Sequence, residues 1–343
     1  MEQASCLVKN ILYIGNRLEK SGKTPTSADV LPGKLRKEGF SIKVVSSNPN
    51  KYLRLLEMIF AIFRSKDWVD FIIIDTYSTS NFWYAVTCGK IAHFLRIPVI
   101  FLLHGGNLPT RFSQSSPAVL KIFRKAHRLV APSEYLFKNF QDFNFQNLKM
   151  IPNSLELENY HFSSRFSEIP NILWLRAFDE TYNPEMALEV FKIVQKKYPD
   201  VIMKMLGPDK DGSLQRIHAI VKKENLSIEL PGKLSRESWL QLTRECNVFL
   251  NTSRIDNMPV SVLEAMALGL PVISTNVGGL PYLIENGENG LLVNSGDAEK
   301  MAGQVMKIFE DENQYSTLVQ NGRHTAEHYS WQKVKGFWLE LLG

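Results

Sequence analysis

The 343-residue chain has only three cysteines, Cys6, Cys88 and Cys246. They lie far apart with no CxxC pair, which argues against a zinc site or a disulfide framework and fits a reducing cytoplasm. No apolar run approaches the length needed to span a bilayer. The opening Met1-Glu2-Gln3-Ala4-Ser5-Cys6 lacks a basic stretch followed by an apolar one, so it does not read as a secretory signal. Internal repeats and low-complexity segments are absent. His324 and His328 stand at helical i, i+4 spacing near Glu327, but without the HExxH order a solvated helix is the commoner reading than a metal site. Gly22-Lys23-Thr24 echoes the end of a phosphate-binding loop, yet the earlier glycine such a loop requires is missing, which excludes ATP binding there.

What is present is ordinary in bulk and uneven in detail. Hydrophobic residues make up 44% and charged residues 22%, as in a globular protein, and the length calls for two domains. The net charge of +5 hides an asymmetry. Residues 1–165 carry 22 Lys and Arg against 12 Asp and Glu; the remainder carries 18 against 23. A basic half joined to an acidic half points to an anionic partner for the first half. An anionic membrane surface or a phosphorylated lipid fits; nucleic acid is excluded as a partner for want of any recognisable binding module. Two basic-flanked apolar stretches, 53–64 and 120–125, read first as sheet-covering helices with cationic outer faces. Their sharper reading is an interfacial helix beside an anionic bilayer.

Apolar β-rich runs alternate with helical patterns. Strands are expected at 10–14, 41–46, 71–75, 98–103 and 128–131, with helices such as 26–38 and 81–95 between them. A polar stretch at 156–170 reads as a linker. The alternation then restarts, with strands at 172–176, 201–206, 228–230, 248–251 and 271–275. Helices are expected between them at 184–197, 214–224, 236–244 and 259–268. Continuous apolar strands separated by helices mean parallel sheets covered on both faces. The expected fold class is therefore α/β, with two Rossmann-like doubly wound domains facing across a cleft, 1–165 and 166–328. The cleft is the default ligand site.

The densest chemistry lies in 253–272. Asn257 suits an N-cap, Pro259 a first helical turn, and Gly269 a helix stop before Pro271. A helix starting here offers backbone N–H groups to an anion such as a diphosphate. Glu264 flanks the apolar stripe of Val260, Leu263 and Ala267, so its carboxylate needs hydrogen-bond donors, which vicinal ribose hydroxyls could supply. Taken alone, a glutamate on a helix flank is usually a solvated surface group.

Asp256, seven intervening residues, and Glu264-Ala265-Met266-Ala267-Leu268-Gly269-Leu270-Pro271-Val272 resemble the donor-site signature of retaining glycosyltransferase family 4, of the GT-B fold. Asp256 stands where that family more commonly has Glu. The resemblance continues through 277–293, with Tyr282 where an acidic residue is usual. It implies that Glu264 binds the donor ribose and that Asp256 lies near the donor sugar. Asn257, Met258, Pro259 and Val260 would line the donor diphosphate. Leu173-Trp174-Leu175-Arg176 resembles the strand whose Arg contacts the phosphates. The usual Lys partner is missing, with Tyr182-Asn183-Pro184 in its region, and Lys210 or Lys233 is the expected substitute. Phe101-Leu102-Leu103-His104-Gly105-Gly106 resembles the strand end whose His faces donor sugar and acceptor, which assigns His104 and Gly105 to the acceptor side. Gly15 and Asn16 stand at the family's first loop. Arg128 to Ser133 and Ile151-Pro152-Asn153-Ser154 match further landmarks, and Tyr329-Ser330-Trp331 opens a last helix, 329–343, expected to return to the first domain.

The activity implied is transfer of a sugar from a nucleoside diphosphate sugar to a hydroxyl acceptor, saccharide or lipid-linked, with retention. His104, Asp256 and Arg176 would carry the catalysis, without metal or cofactor. The expected setting is bacterial surface-polysaccharide or glycolipid synthesis, in the cytoplasm at the inner face of the plasma membrane. Two alternatives share the fold: a nucleotide-sugar epimerase or phosphorylase, and a non-catalytic sugar-nucleotide binder.

Overall fold

The structure is a computed structural model that describes residues 9–17 and 26–343. Cys6, the opening segment and Gly22-Lys23-Thr24 lie outside the described residues. Contacts divide the chain into two compact units: Met1–Pro152 with Gly336–Gly343, and Asn153–Lys335.

The first unit runs β1 (Asn10–Ile14), α1 (Ser27–Lys37), β2 (Ser41–Val45), α2 (Lys51–Ser65), β3 (Phe71–Tyr77), α3 (Phe82–Phe94), β4 (Val99–His104), α4 (Leu108–Ser113), α5 (Pro117–Arg124), β5 (Arg128–Ala131), α6 (Glu134–Gln141) and β6 (Leu148–Met150). Its sheet is wholly parallel, ordered β2-β1-β3-β4-β5-β6. Such strands are covered on both faces, and Ile72, Ile73 and Ile74 of β3 and Val99 to Leu103 of β4 are accordingly buried. The chain steps from β1 out to β2 and back past β1 to β3. Its switch point lies between β1 and β3, and loops beyond their carboxyl ends form the natural crevice.

The second unit runs β7 (Asn171–Leu175), α7 (Pro184–Lys197), β8 (Ile202–Leu206), α8 (Ser213–Glu224), β9 (Ile228–Gly232), α9 (Arg236–Leu242), β10 (Val248–Asn251), α10 (Val260–Leu268), β11 (Val272–Thr275), β12 (Leu291–Val293), α11 (Ala298–Glu310), α12 (Glu312–His328) and α13 (Trp331–Leu342), the last continuing into the first unit. The order β12-β11-β10-β7-β8-β9 is the dinucleotide-fold order, with its switch point between β7 and β10. Both sheets are Rossmann-like. The edge strands β6 and β12 have three residues each and carry too little pattern to be read from sequence.

The polar stretch read as a linker is packed rather than loose. Leu155 and Tyr160 are buried, and the second unit begins at Asn153, upstream of the expected boundary at 165. The segment entering this unit pairs with the one leaving it. Leu155 N–H donates to the Tyr329 carbonyl at 2.8 Å and Trp331 N–H to the Leu155 carbonyl at 2.7 Å. Gly336–Gly343 counts with the first unit, where Glu340 pairs with Lys149 at 2.8 Å. Cys88 and Cys246 are buried and unpaired, with thiols pushed up to about 12 by burial, which makes them unreactive. Among the described residues no helix is long and apolar enough to cross a membrane.

Candidate functional site

The switch point of the second sheet brings together residues from the ends of β7 and β10. Arg176 follows β7, and the loop after β10 carries Asp256. An Arg176 Nη2 to Asp256 Oδ2 ion pair joins them. Both side chains are largely buried, and Arg176 Nη1 reaches Ser261 Oγ in the first turn of α10 at 3.4 Å. The guanidinium stacks 4.1 Å from the centroid of the Tyr182 ring. Tyr182 thus supports Arg176 from the region where the family's Lys is missing. Burial pulls the Arg176 guanidinium below its ordinary value, and its Nε has no hydrogen-bond partner among the described residues. A buried cation with an unused donor is suited to an incoming anion.

The loop is held from beneath by buried polar side chains. Thr275 Oγ1 donates to the Ser253 carbonyl at 2.6 Å, Asn251 Nδ2 to Ser274 Oγ at 2.9 Å, and Trp174 Nε1 to Thr252 Oγ1 at 2.9 Å. From above, Gly279 N–H donates to the Asp256 carbonyl at 2.9 Å. Gly278 has φ +55°, and a Cβ there would stand 1.9 Å from that carbonyl oxygen, so only glycine lets the two loops meet.

The helix starts later than the sequence suggests. Its N-cap is Pro259 at φ −71°, ψ 118°, and Val260 is the first helical residue; Asn257 lies in the loop. Proline restricts the residue before it to extended backbone, which keeps Met258 out of the helix. The N–H groups at the helix start are therefore those of Val260 and Ser261. Met258 is buried in the apolar cluster with Leu263 and Leu280, so it can meet a ligand only through its backbone. Val260 is exposed.

Glu264 belongs to a chain that the sequence does not announce. Tyr160 Oη donates to Glu264 Oε1 at 2.6 Å and accepts from Arg236 Nη2 at 2.7 Å. The Arg236 guanidinium also stacks 5.0 Å from the Tyr160 ring centroid. Burial pushes the Glu264 carboxyl above its ordinary range, against the Tyr160 hydrogen bond and the charges of Arg236 and Arg176. Burial and the neighbouring Glu264 charge push the Tyr160 hydroxyl up. Glu264 thus lies within electrostatic reach of two arginines, with Oε1 engaged by Tyr160. Lys233 follows β9 at Gly232, whose carbonyl accepts from Gly207 N–H at 2.9 Å; Lys233 and Lys210 are exposed.

In the first unit the register explains a second cluster. Tyr13 pairs with Ile73, and Asp75 lies two residues further along β3, on the same face. Asp75 pairs with Leu102, and His104 lies two further along β4, again on that face. Tyr13 Oη donates to Asp75 Oδ1 at 2.8 Å, and His104 Nε2 lies 2.9 Å from the same oxygen. A carboxylate can only accept, so His104 carries its proton on Nε2 and Nδ1 remains for other work. The Tyr77 ring stacks on His104 with centroids 4.9 Å apart. Asp75 Oδ2 is buried and lacks a partner among the described residues. Gly15 approaches so closely that a Cβ would stand 2.4 Å from that oxygen. Asn16 is buried and accepts from Arg54 Nη1 at 3.0 Å, and Gly105 follows His104 into the next loop. Gly15, Asn16, His104 and Gly105 therefore sit at the ends of β1 and β4, around Asp75. Among the described residues no group of three or more His, Cys, Asp or Glu is placed to hold a metal.

Two family models divide the chain between them: Glycosyltransferase Family 4 over residues 12–159 and Glycosyl transferases group 1 over residues 158–325. The chain belongs to glycosyltransferase family 4. Among curated relatives it is similar to an uncharacterized glycosyltransferase of Methanocaldococcus jannaschii, 28% identical over 70% of this chain and 66% of the relative. It is also similar to the putative colanic acid biosynthesis glycosyltransferase WcaL of Escherichia coli, 23% identical over 73% of this chain and 65% of the relative. The match thus spans just under two thirds of these relatives' length. A third relative, the capsular polysaccharide biosynthesis glycosyltransferase CapM of Staphylococcus aureus, is 28% identical over 45% of this chain and 40% of its own. Among solved structures, Anabaena HepE in complex with UDP-glucose superposes with a TM-score of 0.76 at 19% identity, covering 97% of this chain and 99% of that one. Sucrose-phosphate synthase of Thermosynechococcus elongatus gives 0.76 at 17% identity, covering 97% and 98%. These likenesses show the fold, that of the GT-B glycosyltransferases.

Proposed function

We propose that the chain transfers a hexose-like sugar from a nucleoside diphosphate sugar to a hydroxyl acceptor, with retention at the anomeric carbon. The observation that carries the reading is the convergence of Arg176, Asp256, Glu264 and the start of α10 at one switch point. The bond from the anomeric carbon to the diphosphate oxygen breaks, a bond to the acceptor oxygen forms, and the acceptor hydroxyl's proton passes to the departing diphosphate. Negative charge grows on the departing diphosphate. Arg176 and the N–H groups of Val260 and Ser261 answer that charge. Diphosphate would displace Asp256 from Arg176, freeing that carboxylate to accept from the sugar hydroxyls. Glu264 Oε2 would accept from the ribose. His104, steadied by Asp75, would serve the acceptor side with Gly15, Asn16 and Gly105. The reading calls for no metal or cofactor.

HepE is described with UDP and UDP-glucose, which makes a UDP-sugar the first donor to try. Relatives named for colanic acid and capsular polysaccharide synthesis support a role in surface-polysaccharide or glycolipid assembly, which the proposal sets in the cytoplasm. The acceptor would be a saccharide or a lipid-linked one, and a lipid-borne acceptor would bring the chain to an anionic membrane.

Proton NMR of the enzyme with UDP-, GDP- and ADP-sugars tests the reaction. One donor should release its nucleoside diphosphate, and the first sugar product should keep the donor's anomeric configuration. An inverted product would remove retention, an epimerised donor would replace transfer with isomerisation, and silence with every donor and acceptor would leave a binding protein.

A further inference from the structure

A helix covering a sheet normally turns an apolar stripe inward and a polar face outward. In α2 the inward stripe is present, with Met58 and Ile62 buried. The outward stripe is apolar as well, not cationic as the sequence suggested. Leu53, Leu56, Phe60 and Phe63, at i, i+3, i+7 and i+10, are 52%, 61%, 64% and 47% exposed. Tyr52 lies exposed beside them. Helix α3 packs alongside α2 and adds exposed Trp83 and Phe94. Nearly half of the exposed large hydrophobic residues among those described thus lie on two adjacent helices, which is a patch rather than scatter.

The charge around the patch is mainly positive. Lys51, Arg64 and Lys66 flank the α2 stripe, Lys90 lies between Trp83 and Phe94, and the neighbouring α5 shows Lys121 and Arg124 with Lys125 at its end. From Thr76 to Ser133 the sequence holds seven Lys and Arg and not one Asp or Glu. The acidic groups of the α2 segment are Glu57, half-buried, and Asp67 beyond its end.

We propose that the outer face of α2 and α3 docks on an anionic phospholipid bilayer. Exposed Phe, Trp and Leu enter the headgroup and acyl boundary, and the surrounding cations meet lipid phosphates. A second copy of the chain is disfavoured, because a two-fold contact through this face would set the same cations against each other. The proposal deepens the acceptor side of the proposed reaction. Vesicle binding needs no glycosyl transfer, so either claim can fail alone.

Co-sedimentation with vesicles tests it. The full chain should pellet with vesicles of phosphatidylcholine mixed equally with phosphatidylglycerol. Its partition onto phosphatidylcholine alone should be about tenfold weaker or more, and high salt should release it. Leu56→Ser/Phe60→Ser and, separately, Lys90→Glu/Lys121→Glu should each weaken partition by about tenfold. These side chains are exposed, so unchanged melting temperatures would certify the fold. No binding to either vesicle, equal binding to both, or wild-type binding by both variants would overturn the proposal. So would a wild-type dimer that Leu56→Ser/Phe60→Ser converts to monomer without lipid.

Discussion

Replacing Tyr160 by Phe removes one oxygen and leaves the ring in place. That oxygen donates to Glu264 Oε1 at 2.6 Å and accepts from Arg236 at 2.7 Å. Hydrogen bonds to a charged group contribute about 1.5–3 kcal/mol, and a buried carboxylate left without its donor costs about as much. The loss should therefore be about 2 kcal/mol, or several degrees in melting temperature for a domain of this size. Glu264 should also titrate higher still, because the Tyr160 bond is the first of the influences that hold it down. The Tyr160 bond also fixes the carboxyl in the orientation proposed to meet a ribose, so donor affinity should fall by about tenfold. Urea unfolding gives the stability, and calorimetric titration with the donor gives the affinity. Glu264→Gln alone and combined with Tyr160→Phe closes a double-mutant cycle, whose coupling should be about 1–2 kcal/mol. Additive effects, or a Tyr160→Phe protein that binds donor like wild type, would refute the reasoning.

Burial raises the Glu264 pKa above its ordinary 4.5, so its protonated form is favoured in the folded state. That contribution to stability is full below 4.5 and is lost as pH rises through the raised value. Wild type and Glu264→Gln should therefore melt alike in acid, and the Gln variant should gain on wild type as pH rises; a constant gap would contradict this. Gly278→Ala places a Cβ against the Asp256 carbonyl at positive φ and should cost about 2 kcal/mol or more in chemical unfolding, against a negligible change if the loop yields freely. Asp75→Asn should lower kcat by about a hundredfold with little change in donor KM, and should alter the nitrogen NMR signature of the His104 tautomer. An unchanged kcat and signature would reduce Asp75 to a packing residue.

Much of this is legible in the sequence. Both sheets announce themselves through continuous apolar strands, since a strand covered on two faces has no room for alternation. Glu264 and Asp256 are expected from the family resemblance of 256–272, and Arg176 from that of the strand end at 173–176; the structure brings Arg176 against Asp256. Other features depend on contacts that sequence spacing hides. Tyr160 meets Glu264 across 104 positions from within a polar stretch that reads as a linker. Asp75 follows four apolar residues inside β3, and only the register of β3 against β4 reveals His104 as its neighbour. Asn257 reads as the cap with Pro259 in the first turn, but proline's restriction on Met258 moves the start to Val260, with Pro259 itself at the cap. The stretch 53–64 stands out in the sequence as basic-flanked and apolar, but both sides of the helix are apolar, which leaves no sign of which faces in.

The donor cradle at the start of α10 is tested most directly by melting the protein with UDP-, GDP- and ADP-sugars, in wild type and in Glu264→Ala. A matched donor should raise the wild-type melting temperature in proportion to the logarithm of its excess over Kd, and the variant should show no shift. An equal shift in Glu264→Ala, with the variant otherwise folded, would contradict the ribose role and the account built on it.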